Sequence, residues 1–272
     1  MKVSATISAS GSGFAPILFQ GDYAQQIQEA ARIGFEAVEL HIRDPNRLDR
    51  RAVLRSIKEA GVVVSTIGTG QAYVDEGIFF TSGNEEIRLA AIERIKAHVD
   101  FAAQIGARVI IGTIKGPLPE KEPERAVARA RAKDCLLECA EYARESHTGL
   151  TLEAINRYES NFLNTAEEAR RFIEEMGSPV VGLHLDTFHM NIEETSIERA
   201  LRDNADRLVH IHLADSNRWA PGMGHLDFPS ILSTLRDIGY EGYLGIECLP
   251  LPDGETAARQ ALGYLQNLLS EA

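Results

Sequence analysis

Short apolar, β-branched runs alternate with longer amphipathic stretches from one end of the chain to the other. The pattern predicts strands near 2–8, 36–42, 62–67, 108–112, 150–154, 180–186, 208–214 and 243–247. Helical period predicts helices near 22–33, 48–60, 85–105, 124–146, 165–176, 197–206, 229–238 and 255–270. In the third of these, Ile87, Ala91, Ile95 and Val99 recur every four residues, a stripe that turns toward a core. Thr165 with Glu168, and Thr195 with Glu198, have the spacing of a capping box at a helix start. Gly34, Gly61, Gly106, Gly177 and Gly239 stand where helices should end, because glycine accepts the left-handed cap conformation.

Eight strand-then-helix units in series predict a closed parallel barrel of the (β/α)8, or TIM, type, with residues 1–272 forming one domain. An open doubly wound sheet would need a glycine-rich phosphate loop after its first strand. GSG at 11–13 does follow that strand, but it does not complete the fingerprint and no helix pattern opens there. The Pro- and charge-rich stretch GPLPEKEPER at 116–125 reads as a long βα loop.

A chain of 272 residues with 44% hydrophobic content can bury one large core. Its net charge of −12 argues against nucleic acid and against an anionic membrane surface as partners. No apolar run is long enough to span a bilayer. The opening MKVSATISAS reads as a first strand and not as a leader peptide. Three cysteines, Cys135, Cys139 and Cys248, cannot build a disulfide framework. Cys135 and Cys139 share a helix face, half of a metal site at most, and read as buried reduced thiols. A cytoplasmic location is the matching expectation.

The chemistry gathers at strand ends. The runs LTLE, VGLHLD, LVHIHL and YLGIE close on or near Glu153, Asp186, His212 and Glu247, one per successive unit. Side chains alternate along a strand, so residues two positions earlier share the inward face. That places Thr151, His184, His210 and Gly245 one layer lower, with His184 and His210 expected to support and orient the groups above them. Three carboxylates cannot lie close together ionised without a compensating charge. An oxygen-rich set with one imidazole and no thiolate suits a hard divalent ion, Mn2+ ahead of Mg2+ or Co2+. Four protein donors would leave two octahedral positions for two adjacent oxygens of a sugar.

The stretches LEAINRYE, LDTFHMNIEE, HIHLADSNRWAPGMGH and IECLPLP resemble the sugar isomerase and epimerase barrels of the D-tagatose 3-epimerase group. The resemblance runs over nearly the whole chain. IGTGQAYV at 67–74, HIRDP at 41–45 and ECLPLP at 247–252 are similar to its 5-keto-L-gluconate epimerases. The resemblance implies that Glu153, Asp186, His212 and Glu247 bind the metal, with Glu153 and Glu247 as catalytic acid and base. It implies that Glu159, His189 and Arg218 hold the substrate, and that the enzyme is a homodimer or homotetramer. In the group an aromatic residue tends to follow the fourth strand, where this chain has TIKG.

Two further substrate contacts are expected from position. Lys115, after the fourth strand, could meet the carboxylate of a keto acid, or else face solvent. His41, ending the second strand in phase with Glu39, could reach the substrate or pack against a loop. Arg43 is another candidate counter-charge, and Trp219 with Pro221 forms an apolar loop beside Arg218. The expected reaction is C3 epimerisation of a ketose or keto-hexonate through a cis-enediolate. D-tagatose- or D-allulose-type ketohexose epimerisation, hydroxypyruvate-type isomerisation, aldose–ketose isomerisation and inosose dehydration stay open on the same glutamate pair. A phosphodiesterase of the endonuclease IV group would need more metal-binding histidine and a basic groove. A non-catalytic sugar binder would not need both glutamates.

Overall fold

The structure is a computed structural model and describes residues 1–9 and 16–270; the GSG at 11–13 lies outside the described residues. The strands are β1 (Lys2–Ser8), β2 (Phe19–Gln20), β3 (Ala37–His41), β4 (Val63–Gly68), β5 (Arg108–Ile111), β6 (Leu150–Glu153), β7 (Val181–Asp186), β8 (Leu208–His212) and β9 (Tyr243–Ile246). The helices are α1 (Tyr23–Ile33), α2 (Arg50–Ala60), α3 (Gly70–Glu76), α4 (Glu85–Ile105), α5 (Glu124–Glu145), α6 (Ala166–Met176), α7 (Thr187–Glu193), α8 (Ile197–Asp203), α9 (Phe228–Asp237) and α10 (Gly254–Ser270). Every strand pairing is parallel, and β1 pairs with both β3 and β9, which closes the sheet into a barrel. The eight barrel strands are β1 and β3–β9; β2 is a two-residue extension beside the end of β1.

Local signals act as expected at most boundaries. Thr165 and Glu168 form a reciprocal capping box at α6. Gly34, Gly61, Gly106 and Gly177 close their helices with positive φ, and Gly239 follows Ile238 at the end of α9. The start of α8 corrects one expectation. Ser196, not Thr195, is the N-cap, and its hydroxyl accepts from the Arg199 N–H while donating to Glu198. Both hydroxyls precede the same apolar stripe, and the one next to it has the reach. Two short helices, α3 and α7, went unread because seven residues carry too little periodicity to stand out from a loop.

The core is the layer between strands and helices, filled by Ile, Leu, Val, Ala and Phe, with Ala91, Ile95 and Val99 of α4 fully buried and Ile87 half-buried. Cys135, Cys139 and Cys248 are free and buried in it, and burial pushes the Cys135 thiol up to about 11. No helix among the described residues is long and apolar enough to cross a membrane. Inside the barrel, register pairs His184 with His210 and Asp186 with His212, but Glu153 with His184 and His212 with Gly245. These two-residue steps are the stagger of a tilted barrel, and they bring Glu153, Asp186, His212 and Glu247 to one level at the C-terminal mouth.

Candidate active site

Each of the four strand-end residues is fixed by its own element. Glu153 is the last residue of β6, Asp186 the last of β7 and His212 the last of β8, while Glu247 follows β9 by one position. Asp186 also caps α7, one carboxylate oxygen accepting from the Phe188 N–H at 2.7 Å. Gly112 lies beside Glu153, where a Cβ would come within 2.5 Å of Oε2. The glycine is therefore what lets this carboxylate lie against the β5 loop. One donor atom from each of Glu153, Asp186, His212 and Glu247 falls in a group whose members are within 4.8 Å of one another.

The electrostatics of this group are unbalanced. Burial and the Glu247 charge push Glu153 up to about 8. Burial and the Glu247 charge likewise raise Asp186 to about 6. Burial also acts on Glu247, but the His212 charge beside it, with His41 and Arg218, outweighs burial and brings it to about 2. Two buried atoms in the group have no hydrogen-bond partner, Asp186 Oδ2 and His212 Nδ1, and the carboxylate oxygen near the latter, Glu247 Oε2, is 3.6 Å away. A carboxylate oxygen and a ring nitrogen left without partners beside a carboxylate cluster are what a divalent cation satisfies once the ring gives up its Nδ1 proton, so the residues present fit such an ion.

The mouth above them is a cavity of about 220 Å3, lined by Glu153, Glu159, His189, His212, Arg218, Glu247, His41 and the Gly68–Gln71 turn, among others. His189, on α7, is buried, with Nε2 3.8 Å from Glu153. Its Nδ1 meets the Asn156 amide at 2.7 Å, and the same amide donates to Glu159 at 3.0 Å. Burial and the Arg218 charge bring His189 down to about 3, so the ring is neutral. Glu159 accepts in turn from Arg218 at 2.7 Å. Asn156 thus ties His189, Glu159 and Arg218 into one chain. It passed unnoticed in sequence, where its only signal is a place between two site residues in EAINRYE.

Arg218 adopts a left-handed backbone, φ 62°. Its loop is held by the fully buried Asp215, whose carboxylate accepts from the N–H groups of Ser216, Gly222 and Leu226 at 2.7, 2.9 and 3.1 Å. The guanidinium stacks 4.7 Å from the Phe188 ring centre and lies 3.7 Å from Glu247.

His41 lines the cavity, with Nε2 2.6 Å from Glu39 and 3.9 Å from Glu247. Lys115 is placed differently from either expectation. It is 2% exposed, absent from the cavity lining, and donates to the Gly112 carbonyl at 3.2 Å. The 3-10 turn Thr113–Lys115 buries it away from solvent, off the cavity lining but near enough for its charge to act on Glu153. Burial lowers it to about 8, against the opposing pull of Glu153. Arg43 is half-exposed near Asp75 and Glu76 and does not line the cavity. His184 and His210 are buried beneath the donor group: His210 bonds Glu39, while both nitrogens of His184 lack partners and its ring packs on His210 and His212 at 4.9 and 4.2 Å.

Residues 27–268 match the xylose isomerase-like TIM barrel family. The chain is 30% identical over 247 residues to a ketose 3-epimerase of Arthrobacter globiformis, covering 90% of this chain and 84% of that protein. It is 34% identical over 241 residues to a D-psicose 3-epimerase of Enterocloster bolteae, covering 86% and 79%. Among solved structures, 3-keto-D-glucoside 4-epimerase from E. coli superposes with a TM-score of 0.82 at 28% identity, covering 98% of this chain and 99% of that one. A barrel with these strand-end groups and these relatives leaves one conclusion: the chain belongs to the xylose isomerase-like TIM barrel family and is a carbohydrate epimerase of its ketose 3-epimerase group, an isomerase.

Proposed function

We propose that the chain is a metal-dependent sugar 3-epimerase that acts on a ketose or keto-hexonate through a cis-enediolate, with Glu153 and Glu247 as acid and base. The observation that carries this reading is the convergence of Glu153, Asp186, His212 and Glu247 under a cavity that also holds Glu159, His189 and Arg218. These four residues would hold the ion, Mn2+ ahead of Mg2+ or Co2+ on the hardness of the donor set. When bound, it supplies charge that stabilises an enediolate, by an amount on the order of several kcal/mol.

The chain's own groups move the proton. One glutamate removes it from C3, and the other, protonated, returns one to the opposite face. The split between Glu153 and Glu247 supports such a division, with one carboxyl holding a proton near neutrality while its neighbour is ionised. The reaction is reversible, so the roles exchange with the configuration at C3. His189, neutral and held by Asn156, offers its Nε2 side to a substrate oxygen. Arg218 offers guanidinium N–H groups, held in direction by Glu159 and Phe188.

The keto-hexonate branch of the reading rests on the resemblance to 5-keto-L-gluconate epimerases. Its carboxylate would meet Arg218, the one Lys or Arg on the cavity lining among the described residues. A D-allulose- or D-tagatose-type ketohexose needs no such partner. The apolar side chains Val74 of α3 and Tyr158, Trp219, Met223 and Leu251 of loops are exposed at or beside this end, and the proposal includes a homodimer or homotetramer, with no nucleic acid or membrane partner and a cytoplasmic location.

A screen of Mn2+-loaded protein against ketohexoses and keto-hexonates in D2O, read by NMR, tests the reading. Deuterium at C3 with a second epimer is the expected outcome. Label at C1 or loss of water would replace it with isomerisation of the hydroxypyruvate or aldose–ketose type, or with dehydration.

A further inference from the structure

Beneath the donor group, Glu39 is fully buried two residues before the end of β3, and its carboxylate gathers four neighbours. His210 Nε2 and His212 Nε2 each lie 2.9 Å from Oε2, the Thr66 hydroxyl donates to the same oxygen, and His41 Nε2 lies 2.6 Å from Oε1. An ionised carboxylate can only accept, so each ring that faces it presents an N–H. A neutral imidazole with its proton on Nε2 carries its lone pair on Nδ1. In His212 that Nδ1 is the orphaned atom directed at the donor group.

On the Nε2 side the hydrogen-bonding partner of His212 is Glu39, while Glu247 lies 3.6 Å from Nδ1 on the other side. His184 packs edge-on against His212 without a hydrogen bond, so it fixes the ring's place and not its proton. Gly245 provides room for both rings, since a Cβ there would fall 2.7 Å from His212 Cδ2 and 3.2 Å from His210 Nε2. His212 therefore has one hydrogen-bonded acceptor behind it, and the proton it gives up to a cation is the one on Nδ1, in front.

We propose that Glu39 is the positioning residue of this centre: it locks His212 with its proton on Nε2, so that Nδ1 is free for a divalent cation, and through its other oxygen it anchors His41 on the cavity wall. The inference rests on the metal-dependent reading above. Glu39 touches neither substrate nor reacting atoms. It acts through the two histidines, much as carboxylates orient metal-binding imidazoles elsewhere.

The Glu39→Gln variant tests it, because the amide keeps the shape but replaces one acceptor oxygen with a donor. Four donors cannot share one acceptor oxygen, and a ring that meets the amide N–H must move its proton. Mn2+ affinity is read by calorimetry on metal-stripped protein. The His212 proton is read from 15N–1H correlations in the Mg2+-loaded protein. The expected result is Mn2+ binding weakened about 10–100-fold, with loss of the His212 Nε2–H signal and an unchanged circular dichroism spectrum. Thr66→Val, which removes a donor and leaves the carboxylate, should change affinity by about twofold or less.

Unchanged Mn2+ affinity in Glu39→Gln overturns the positioning role while leaving the metal reading intact. The wild-type protein alone also decides it: a His212 proton on Nδ1 in the loaded enzyme overturns the role even if the variant fails to fold. Wild-type protein that binds no Mn2+ fails the metal reading itself, and this inference with it.

Discussion

The two halves of the barrel mouth meet the same cavity in opposite ways. From β6 to β9 every strand delivers one donor residue at its end: Glu153, Asp186 and His212, then Glu247 one position on. From β3 to β5 the strands end on His41 and Gly68, and Gly112 follows Ile111, with the one carboxylate, Glu39, a layer lower. One half concentrates charge at the surface of the cavity. The other withdraws: its glycines make room for Glu153 and for the His41 ring, and its buried carboxylate braces the histidines from beneath. Charge that must act is exposed to the cavity, whereas charge that must orient is sealed away.

The sharpest way to break this contrast is to neutralise the working half. Glu153→Gln and Glu247→Gln should each lower turnover by about 10²–10⁴-fold, the range for losing a positioned acid or base. Deuterium incorporation at C3 should fall in parallel. Full turnover in either variant would remove the acid–base assignment and leave the two halves functionally alike.

Proton release on metal binding separates the halves next. Glu153 keeps its proton up to about 8, and His212, between Glu39 and Glu247, is held charged well above the usual imidazole range despite burial. Both must lose a proton before they can bind a cation, so affinity should rise with pH through neutrality, with the Glu153 contribution complete above about 8 and that of His212 persisting until its raised ionisation is passed. The slope is about tenfold per pH unit for each proton released. Calorimetry in two buffers of different ionisation heat counts the protons. Binding heats independent of buffer would show that the donors are already deprotonated and that the imbalance is absent.

Arg218 provides a smaller effect at the rim of the working half. Removing a charged hydrogen-bond donor to a substrate costs about 1.5–3 kcal/mol, so Arg218→Ala should lower kcat/KM by roughly 10–100-fold. Arg218→Lys should recover only part of this, because an ammonium cannot keep both the Glu159 bond and the stack on Phe188. Complete recovery by lysine would reduce Arg218 to a point charge.

The same contrast explains what could be read in the chain before the fold was known. Strand ends at a regular interval announced the barrel and the four donors, because ligand-type residues closing apolar runs are rare without a reason. Alternation also placed His184 and His210 in the layer beneath. Glu39 was legible only as a residue in phase with His41. Nothing local says that His210 and His212, far along the chain, close onto it, since that follows from barrel closure through the β1–β9 and β1–β3 pairings. Asn156 was hidden because it reaches His189 on α7, and Asp215 because its partners are backbone N–H groups of its own loop, which no side-chain pattern marks. Ser196 displaced Thr195 at a helix start because a one-residue boundary is decided by reach, which spacing does not resolve.

Lys115 is where local reading and structure part most clearly, and it gives the smallest expected effect. A lysine in a βα loop at the catalytic end suggests a substrate carboxylate partner, but the turn after β5 buries it off the cavity lining. No carboxylate lies within ion-pairing distance of its Nζ among the described residues, and its hydrogen bond is to a backbone carbonyl. A buried cation without a close partner costs stability, so Lys115→Met, similar in length and apolar, should melt no lower than the parent. Its charge pulls Glu153 down, so the substitution should move the Glu153 ionisation upward, and with it the pH at which a cation binds half-maximally. The ratio of keto-hexonate to ketohexose turnover should not move. A fall in that ratio in Lys115→Met, with the pH dependence unchanged, would put the side chain in the cavity after all and return substrate selection to the withdrawn half of the mouth.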